Sequence, residues 1–125
     1  MHDIDLDREI SILKYLLEQI AVLEMYTNDF DEDIFLRDIR TKDAVLTRLI
    51  VIGEYGPRIN DILKERFNEI DWIALKKARN FYAHVYRGID WILVWNVIQN
   101  EIPLLKGQIE SVIEILEKEN NGKTN

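Results

Sequence analysis

Residues 4–25 read IDLDREISILKYLLEQIAVLEM, and apolar side chains recur in them every three or four positions. That spacing is typical of one face of an α-helix. The apolar stripe comprises Leu6, Ile10, Leu13, Leu17, Ile20 and either Val22 or Leu23. With Asp3 or Asp5 placed to cap the first turn, we predict a helix of about 20 residues (~30 Å) that ends near Met25.

The same periodicity predicts a second long helix. An acidic connection at 28–33 precedes it, and its carboxylates suit the start of a helix. The apolar pattern then continues from Ile39 to about Phe67. Gly56 and Pro57 should kink or interrupt this helix, because proline lacks a backbone N–H donor and clashes with the preceding turn.

Two further aspartates are placed as helix caps, Asp71 before a third helix and Asp90 before a fourth. The third helix should end near Tyr86, with Gly88 in the left-handed conformation that commonly follows a helix. Pro103 marks either a kink or the first turn of a separate last helix. We predict an all-α fold, an antiparallel four- to five-helix up-and-down bundle.

The composition fits one domain. The chain has 125 residues, of which 47% are apolar and 31% charged, and this balance excludes a mainly disordered chain. We expect a single helical domain at 1–118 and a flexible tail at 119–125. With no cysteine, disulfide scaffolds, thiol nucleophiles and cysteine-bound zinc are excluded. The acidic N-terminus and the short apolar runs predict a soluble cytoplasmic protein with no membrane partner.

The net charge of −7 argues against a protein that coats nucleic acid through a broad basic surface. Segment 76–87 departs from this acidic balance, since it contains Lys76, Lys77, Arg79 and Arg87 and no acid. Such a segment suits a phosphate-binding site, and it equally suits a solvated helix face. From charge alone the second interpretation is favoured.

The sequence lacks the residues that several kinds of metal-binding or phosphate-binding site require. His84 has no second histidine or carboxylate at a metal-binding spacing. Asp29, Asp31 and Asp33 alternate as in a calcium loop, but the turn glycine and closing glutamate are missing. No phosphate-binding glycine loop is present either, so we expect neither a metal nor a cofactor.

Segment 79–86, RNFYAHVY, is the remaining candidate for chemistry. At 100° per residue, Asn80 and His84 fall on one helix face, and the long side chain of Arg79 can reach the same side. The alternative is structural, because such residues near a helix end also satisfy its last carbonyls and its dipole.

The segment resembles the signature of the HepT-like toxins, a group of helical ribonucleases in the HEPN superfamily. That signature is an arginine, four residues, a histidine, one residue and a tyrosine, which Arg79, His84 and Tyr86 match. The similarity continues upstream in RTKDAVL (40–46) and VIGE (51–54), and downstream in GIDW (88–91) and IPLL (102–105). It covers roughly residues 4–118, and Gly56-Pro57 departs from the helix-forming residues that are usual there.

The resemblance implies a metal-independent endoribonuclease that acts as a homodimer, with the two signature helices facing each other. His84 would be the general acid or base and Arg79 would bind the scissile phosphate. Asn80, the residue after the arginine, would have a supporting role in orienting the phosphate or the imidazole. Beside the resemblance, proton transfer at two oxygens calls for two imidazoles, and a second copy would supply the other.

Basic residues near the signature would draw an RNA backbone toward the site; they are Lys76, Lys77 and Arg87. In the family, the tyrosine that matches Tyr86 receives AMP from a partner antitoxin, a minimal nucleotidyltransferase of the MntA type. The resemblance therefore implies the toxin of a type VII-like toxin–antitoxin pair. Its partners would be RNA, a second copy and the antitoxin, and not DNA.

Two other functions stay open on the sequence. One is a non-catalytic HEPN module that dimerises and binds a nucleotidyltransferase or a nucleotide, and the other is a structural bundle unrelated to nucleotides. Intact Arg79 and His84 favour the ribonuclease. Trp91 and Trp95, four residues apart, are expected in the core or at a dimer interface instead of stacking on bases.

Overall fold

The computed structural model describes residues 4–77 and 88–123, and these ranges contain helices and no strand. The helices are α1 (Leu6–Thr27), α2 (Glu32–Arg37), α3 (Ile39–Tyr55), α4 (Asp61–Arg66), α5 (72–77), α6 (Trp91–Asn96) and α7 (Ile102–Lys123). The predicted all-α class is confirmed.

Aspartate side chains begin the helices as predicted. The Asp5 carboxylate accepts a hydrogen bond from the backbone N–H of Arg8 at 3.1 Å, and Asp71 accepts from Ala74 at 2.9 Å. Asp90 accepts from two N–H groups in the first turn of α6, at 3.1 and 3.2 Å. Each carboxylate satisfies donors that have no partner inside the helix.

Helix α1 is antiparallel to α7. Lys106 near the start of α7 contacts Glu24 near the end of α1, at 3.0 Å. Asn120, near the end of α7, donates to Asp7 at the start of α1, at 2.7 Å. Residue numbers rise along one helix as they fall along the other, which confirms the predicted antiparallel packing.

Helix α1 is also antiparallel to α3. Arg48 donates to Gln19 at 2.6 Å, and the rings of Tyr15 and Tyr55 meet edge to face with centroids 4.9 Å apart. The apolar stripe of α1 lies against both neighbours, so the core runs along the bundle axis. One position differs from the prediction. The sequence placed Leu17 on the apolar stripe, but in the structure Leu16 is fully buried and Leu17 is half-buried.

The predicted second helix is three helices in the structure. At Asp38 the backbone is extended, with φ −101° and ψ 97°, and its side chain caps α3 by accepting from Thr41 at 3.0 Å. A separate short helix, α2, therefore precedes α3. After α3 a 3₁₀ turn at Gly56–Arg58 leads to α4, so the predicted interruption at Gly56-Pro57 is confirmed.

A π-helical segment, Val97–Glu101, joins α6 to α7. The N–H of Ile102 bonds to the carbonyl of Val97, one residue farther back than in an α-helix. Pro103 follows directly and has no N–H, and its ring would clash with the carbonyl four residues earlier in a regular helix. The wider π turn accommodates the proline without a break in the helical backbone, so α7 continues from α6 through the π segment.

Phe35 of α2 packs between the two tryptophans of α6. Its ring centroid lies 5.1 Å from that of Trp95 and 6.3 Å from that of Trp91. Trp95 is buried and Trp91 half-buried, with the Lys42 ammonium 5.2 Å from the Trp91 ring centroid. The expected burial is confirmed for Trp95 and is only partial for Trp91. The cluster attaches α2 to α6.

Helix α7 continues past residue 118, where the sequence predicts the domain to end. The guanidinium of Arg66 on α4 donates to Glu119 at 3.0 Å. The first residues of the predicted tail therefore contact the bundle. The division into a domain at 1–118 and a flexible tail at 119–125 stays a prediction.

Candidate functional site

The signature residues Arg79, Asn80, His84, Tyr86 and Arg87 lie outside the described residues. The predicted end of the third helix near position 86 lies there too. The structure shows the residues on either side of 78–87, namely the start of α5 and positions 88–90. These flanks are the structural frame of the candidate site.

The start of α5 is anchored in the core. Ile70 is 1% exposed, and the indole N–H of Trp72 donates to the carbonyl of Phe67 at 3.2 Å. The Asp71 cap lies between these two buried side chains. Burying an indole is favourable when its N–H finds a partner, so this turn holds α5 at one position on the bundle.

A close approach between Gly56 and Leu75 sets the distance from α5 to the end of α3. A Cβ added at Gly56 would lie 2.9 Å from Leu75 Cδ1, nearer than two carbon atoms pack. The glycine has an ordinary helical φ of −52°. Its missing side chain leaves room for Leu75, and its backbone conformation is one that any residue can adopt.

The other flank is anchored as well. Gly88 lies in a 3₁₀ turn, Ile89 is 8% exposed and Asp90 caps α6. Both described flanks of positions 78–87 are thus anchored in the core, one at the start of α5 and the other at Ile89. The left-handed conformation expected of Gly88 stays a prediction.

Two predicted RNA-binding residues are described, and both are exposed on α5: Lys76 and Lys77. Lys76 lines an open depression that also contains Asp61, Glu65 and Glu69. The surface beside this lysine is thus mixed in charge. Solvent exposure makes both ammonium groups accessible to a phosphate, although their role with RNA is not tested by this geometry.

Two ion pairs link helices of the bundle outside the candidate site. The hydrogen bond to Glu119 raises the pKa of Arg66, and the hydrogen bond to Glu24 raises the pKa of Lys106. The first pair links α4 to α7 and the second links α1 to α7. These shifts reflect structural contacts and do not mark catalytic groups.

Sequence reasoning missed a buried carboxylate at Glu9, which is 1% exposed. It accepts hydrogen bonds from the backbone N–H of Asn60 and from the guanidinium of Arg8. A signal was present, because Glu9 lies three residues after Leu6 and four before Leu13 on the apolar stripe. An acid at such a position predicts a buried partner.

The acidic connection before α2 is structural. Asp31 caps α2 by accepting from Ile34 at 2.8 Å, and Asp33 pairs with Arg37 at 2.8 Å. Within residues 4–77 and 88–123, no three His, Cys, Asp or Glu side chains are grouped so that they could hold a metal ion. None of the described helices is long and apolar enough to cross a membrane.

Known proteins resemble this chain over most of its length. A protein of Methanocaldococcus jannaschii named "Gamma-glutamylcyclotransferase and putative RNase MJ0434" is 35% identical over 90% of this chain, which spans about half (51%) of that relative. "Putative RNase MJ1380" of the same organism is 31% identical over 84% of this chain and 97% of its own length. "Probable ribonuclease HepT" of Thermococcus cleftensis is 32% identical over 80% and 91%.

No solved structure matches the chain. The model of one family, described as Ribonuclease HepT-like, matches residues 16–112. That range includes both anchored flanks and the whole segment 78–87 between them. The chain therefore belongs to the HepT-like ribonuclease family of the HEPN superfamily.

Proposed function

We propose that this protein is a metal-independent endoribonuclease, the toxin of a type VII-like toxin–antitoxin pair. The observation that supports it is the family match across 16–112, which includes Arg79 and His84 in their signature spacing. The names of three relatives contain RNase or ribonuclease. RNA is the substrate of choice over DNA, because the reaction uses a 2′-hydroxyl that DNA lacks.

The proposed reaction is attack of the 2′-oxygen on the adjacent phosphorus. The 2′-hydroxyl loses its proton, a 2′,3′-cyclic phosphate forms, and the bond from phosphorus to the 5′-oxygen breaks. The departing 5′-oxygen takes up a proton. Both transfers suit histidine, because its unperturbed pKa of ~6.5 leaves both protonation states accessible near neutrality.

A second copy completes the site in this proposal. One imidazole cannot be base and acid in the same step, and His84 is the only histidine besides His2. A twofold axis beside His84 would bring two imidazoles and two copies of Arg79 to one cleft. The active protein is accordingly a homodimer with a composite site.

Arg79 binds the scissile phosphate, since a guanidinium matches two phosphate oxygens and its charge stabilises the transition state. Asn80 orients the phosphate or the imidazole. Lys76, Lys77 and Arg87 attract the RNA backbone toward an otherwise acidic protein. The exposure of both lysines on α5 supports this part of the proposal.

Neutralisation by the antitoxin follows from Tyr86. A minimal nucleotidyltransferase of the MntA type would transfer AMP to its hydroxyl, with release of pyrophosphate from ATP. The added phosphate would occupy the pocket of Arg79 and exclude RNA. The pair would work in the cytoplasm, and mass spectrometry of Tyr86 after co-expression tests the modification: an unmodified tyrosine in a neutralised pair contradicts it.

Cleavage of RNA by the purified full chain with and without His84→Ala tests the catalytic proposal. We expect the substitution to lower the rate by about 10²–10⁴. The matched control is Lys118→Ala, an exposed residue of α7 that should leave the rate unchanged. A His84→Ala protein that cleaves at the full rate overturns the proposal. A wild-type dimer that binds nucleotide but never cleaves supports the non-catalytic HEPN module instead.

A further inference from the structure

An apolar groove lies between α5 and α7, with α3 as its floor. Its volume is about 270 Å³. Leu49 and Ile52 form the floor, and Leu75 and Leu104 form opposite walls. Leu104 is 63% exposed, so it adds accessible apolar surface to the groove. The groove therefore has an apolar interior that the described part of the chain leaves open.

Small residues and the π segment shape this groove. Gly53 in the floor and Ala74 in one wall contribute almost no side-chain volume. The opposite wall contains Val97 and Glu101, the first and last residues of the π segment. π segments inside α-helices are frequent at functional sites, and here the irregular turn and the groove occupy the same place.

The rim of the groove is acidic. Glu69, Asp71 and Glu101 line it, and no lysine or arginine is among its described lining residues. Glu69 and Glu101 are exposed. The three carboxylates favour a positively charged partner that also has apolar side chains to insert.

We propose that this groove binds an amphipathic helix of a partner protein, one that inserts aliphatic side chains and places lysine or arginine against the rim. A groove bordered by helices suits helix-in-groove docking, in which a few apolar anchors enter and charges around them select the partner. The acidic rim disfavours a second copy of this protein, whose net charge is −7. The proposal does not depend on ribonuclease activity.

The groove lies next to the candidate site, because Ala74 and Leu75 belong to the helix that leads to Arg79. A bound helix would contact α5 two turns or less before the signature begins. Occupation of the groove would thus stabilise α5 in its observed position on the bundle. A bound partner could thereby affect the activity of the signature residues, which follow α5 in the chain.

A synthetic peptide is a suitable probe: a fluorescent helix of about 14 residues (~20 Å) with leucine on one face and lysine on the other. Fluorescence anisotropy with the full chain should show saturable 1:1 binding. Ala74→Trp, which fills the groove, and Glu101→Lys, which reverses a rim charge, should each weaken binding by about tenfold or more.

Matched controls are Ser111→Trp and Glu110→Lys, at exposed positions of α7 outside the groove lining. Both should retain wild-type affinity, and a peptide with glutamate in place of lysine should not bind. Equal weakening by Glu101→Lys and Glu110→Lys overturns the proposal, since it indicates non-specific attraction to an acidic protein. Equal weakening by Ala74→Trp and Ser111→Trp overturns it too, since the groove would then not be the binding site. So does a change of oligomeric state caused by Ala74→Trp alone, because a second copy would then be the occupant.

Discussion

The backbone N–H of Asn60 donates a hydrogen bond to Oε1 of Glu9, although the two residues are 51 positions apart in the chain. Asn60 in turn caps α4, by accepting from the N–H of Ile62 at 2.8 Å. A carboxylate of α1 therefore satisfies a backbone donor at the break between α3 and α4. This contact holds the turn from which the chain enters α4.

Replacing Glu9 with alanine should lower the free energy of unfolding by about 1–3 kcal/mol, because the N–H of Asn60 would lose its acceptor in a buried place. Glu9→Gln keeps an acceptor oxygen and loses only the pairing with the half-exposed Arg8, so it should cost about 0–1 kcal/mol. Urea denaturation measures both. Glu18→Ala, exposed on the same helix, is the control, and an equal effect of Glu18→Ala and Glu9→Ala would contradict the assigned role.

Gly56→Ala should destabilise the protein by at most about 1.5 kcal/mol, because its Cβ would press on Leu75 Cδ1, the end of a flexible side chain that can change rotamer. Gly107 is the matched control, since a Cβ there meets nothing within 4 Å. Gly107→Ala should stabilise the protein by about 0.5–1 kcal/mol through the better helix propensity of alanine.

A double-mutant cycle tests whether the destabilisation by Gly56→Ala comes from contact with Leu75. Leu75→Val removes the Cδ1 atom that a Cβ would meet, so Gly56→Ala should cost less in the Leu75→Val background. Thermal denaturation of the four proteins gives the coupling. Additive effects would mean that the two residues are not in contact.

The ion pair between Lys106 and Glu24 predicts a pH dependence of stability. The hydrogen bond to Glu24 raises the pKa of Lys106 above 10.5. The stabilisation is therefore fully present below about 10.5, and it is lost as the pH rises through the raised pKa. The difference in Tm between wild type and Glu24→Gln should be small, because both side chains are partly exposed, and it should disappear at strongly alkaline pH.

Glu119→Gln is the control for that titration. Its partner Arg66 keeps its charge in the same range, since the hydrogen bond to Glu119 raises the pKa of a guanidinium that already titrates far above neutrality. The difference in Tm between wild type and Glu119→Gln should therefore persist at alkaline pH. If the two differences fall together, global alkaline unfolding is the cause.

Mixed dimers test the composite site of the proposed function. A co-expressed dimer with one wild-type chain and one His84→Ala chain should cleave RNA about 10²–10⁴-fold more slowly than the wild-type dimer. The reason is that one imidazole cannot be both general base and general acid. Differently tagged chains allow its purification and a direct cleavage assay. A mixed dimer with half the wild-type rate would mean that each chain has an independent site.

Helix caps and the core face followed from local patterns. The spacing of leucines and isoleucines and the positions of Asp5, Asp71 and Asp90 predicted helix starts that the structure confirms. These features depend on residues three or four positions apart, so adjacent sequence is sufficient to recognise them. The break at Asp38 was missed, although Asp38 is itself an aspartate cap that accepts from the N–H of Thr41.

The assignment of the candidate catalytic residues has a different basis from that of the helix caps and the core face. Arg79 and His84 are assigned from the resemblance to the family signature, whereas the family match shows the family alone. Their geometry lies outside the described residues, so their roles remain proposals. Exposure of Lys76 and Lys77 was consistent with the predicted RNA-binding role, whereas the carboxylates beside Lys76 come from α4 and the turn after it.

Periodicity, composition and one signature were enough to establish a helical bundle and to predict its family. Periodicity and the signature can be recognised locally, because the residues that form them are close together in the chain. Three features required the folded chain: the pairing of Glu9 with the N–H of Asn60, the approach of Gly56 to Leu75, and the acidic groove beside α5. Each joins residues from helices far apart in sequence. Such contacts depend on how helices pack, and helix packing is not encoded in any single local pattern.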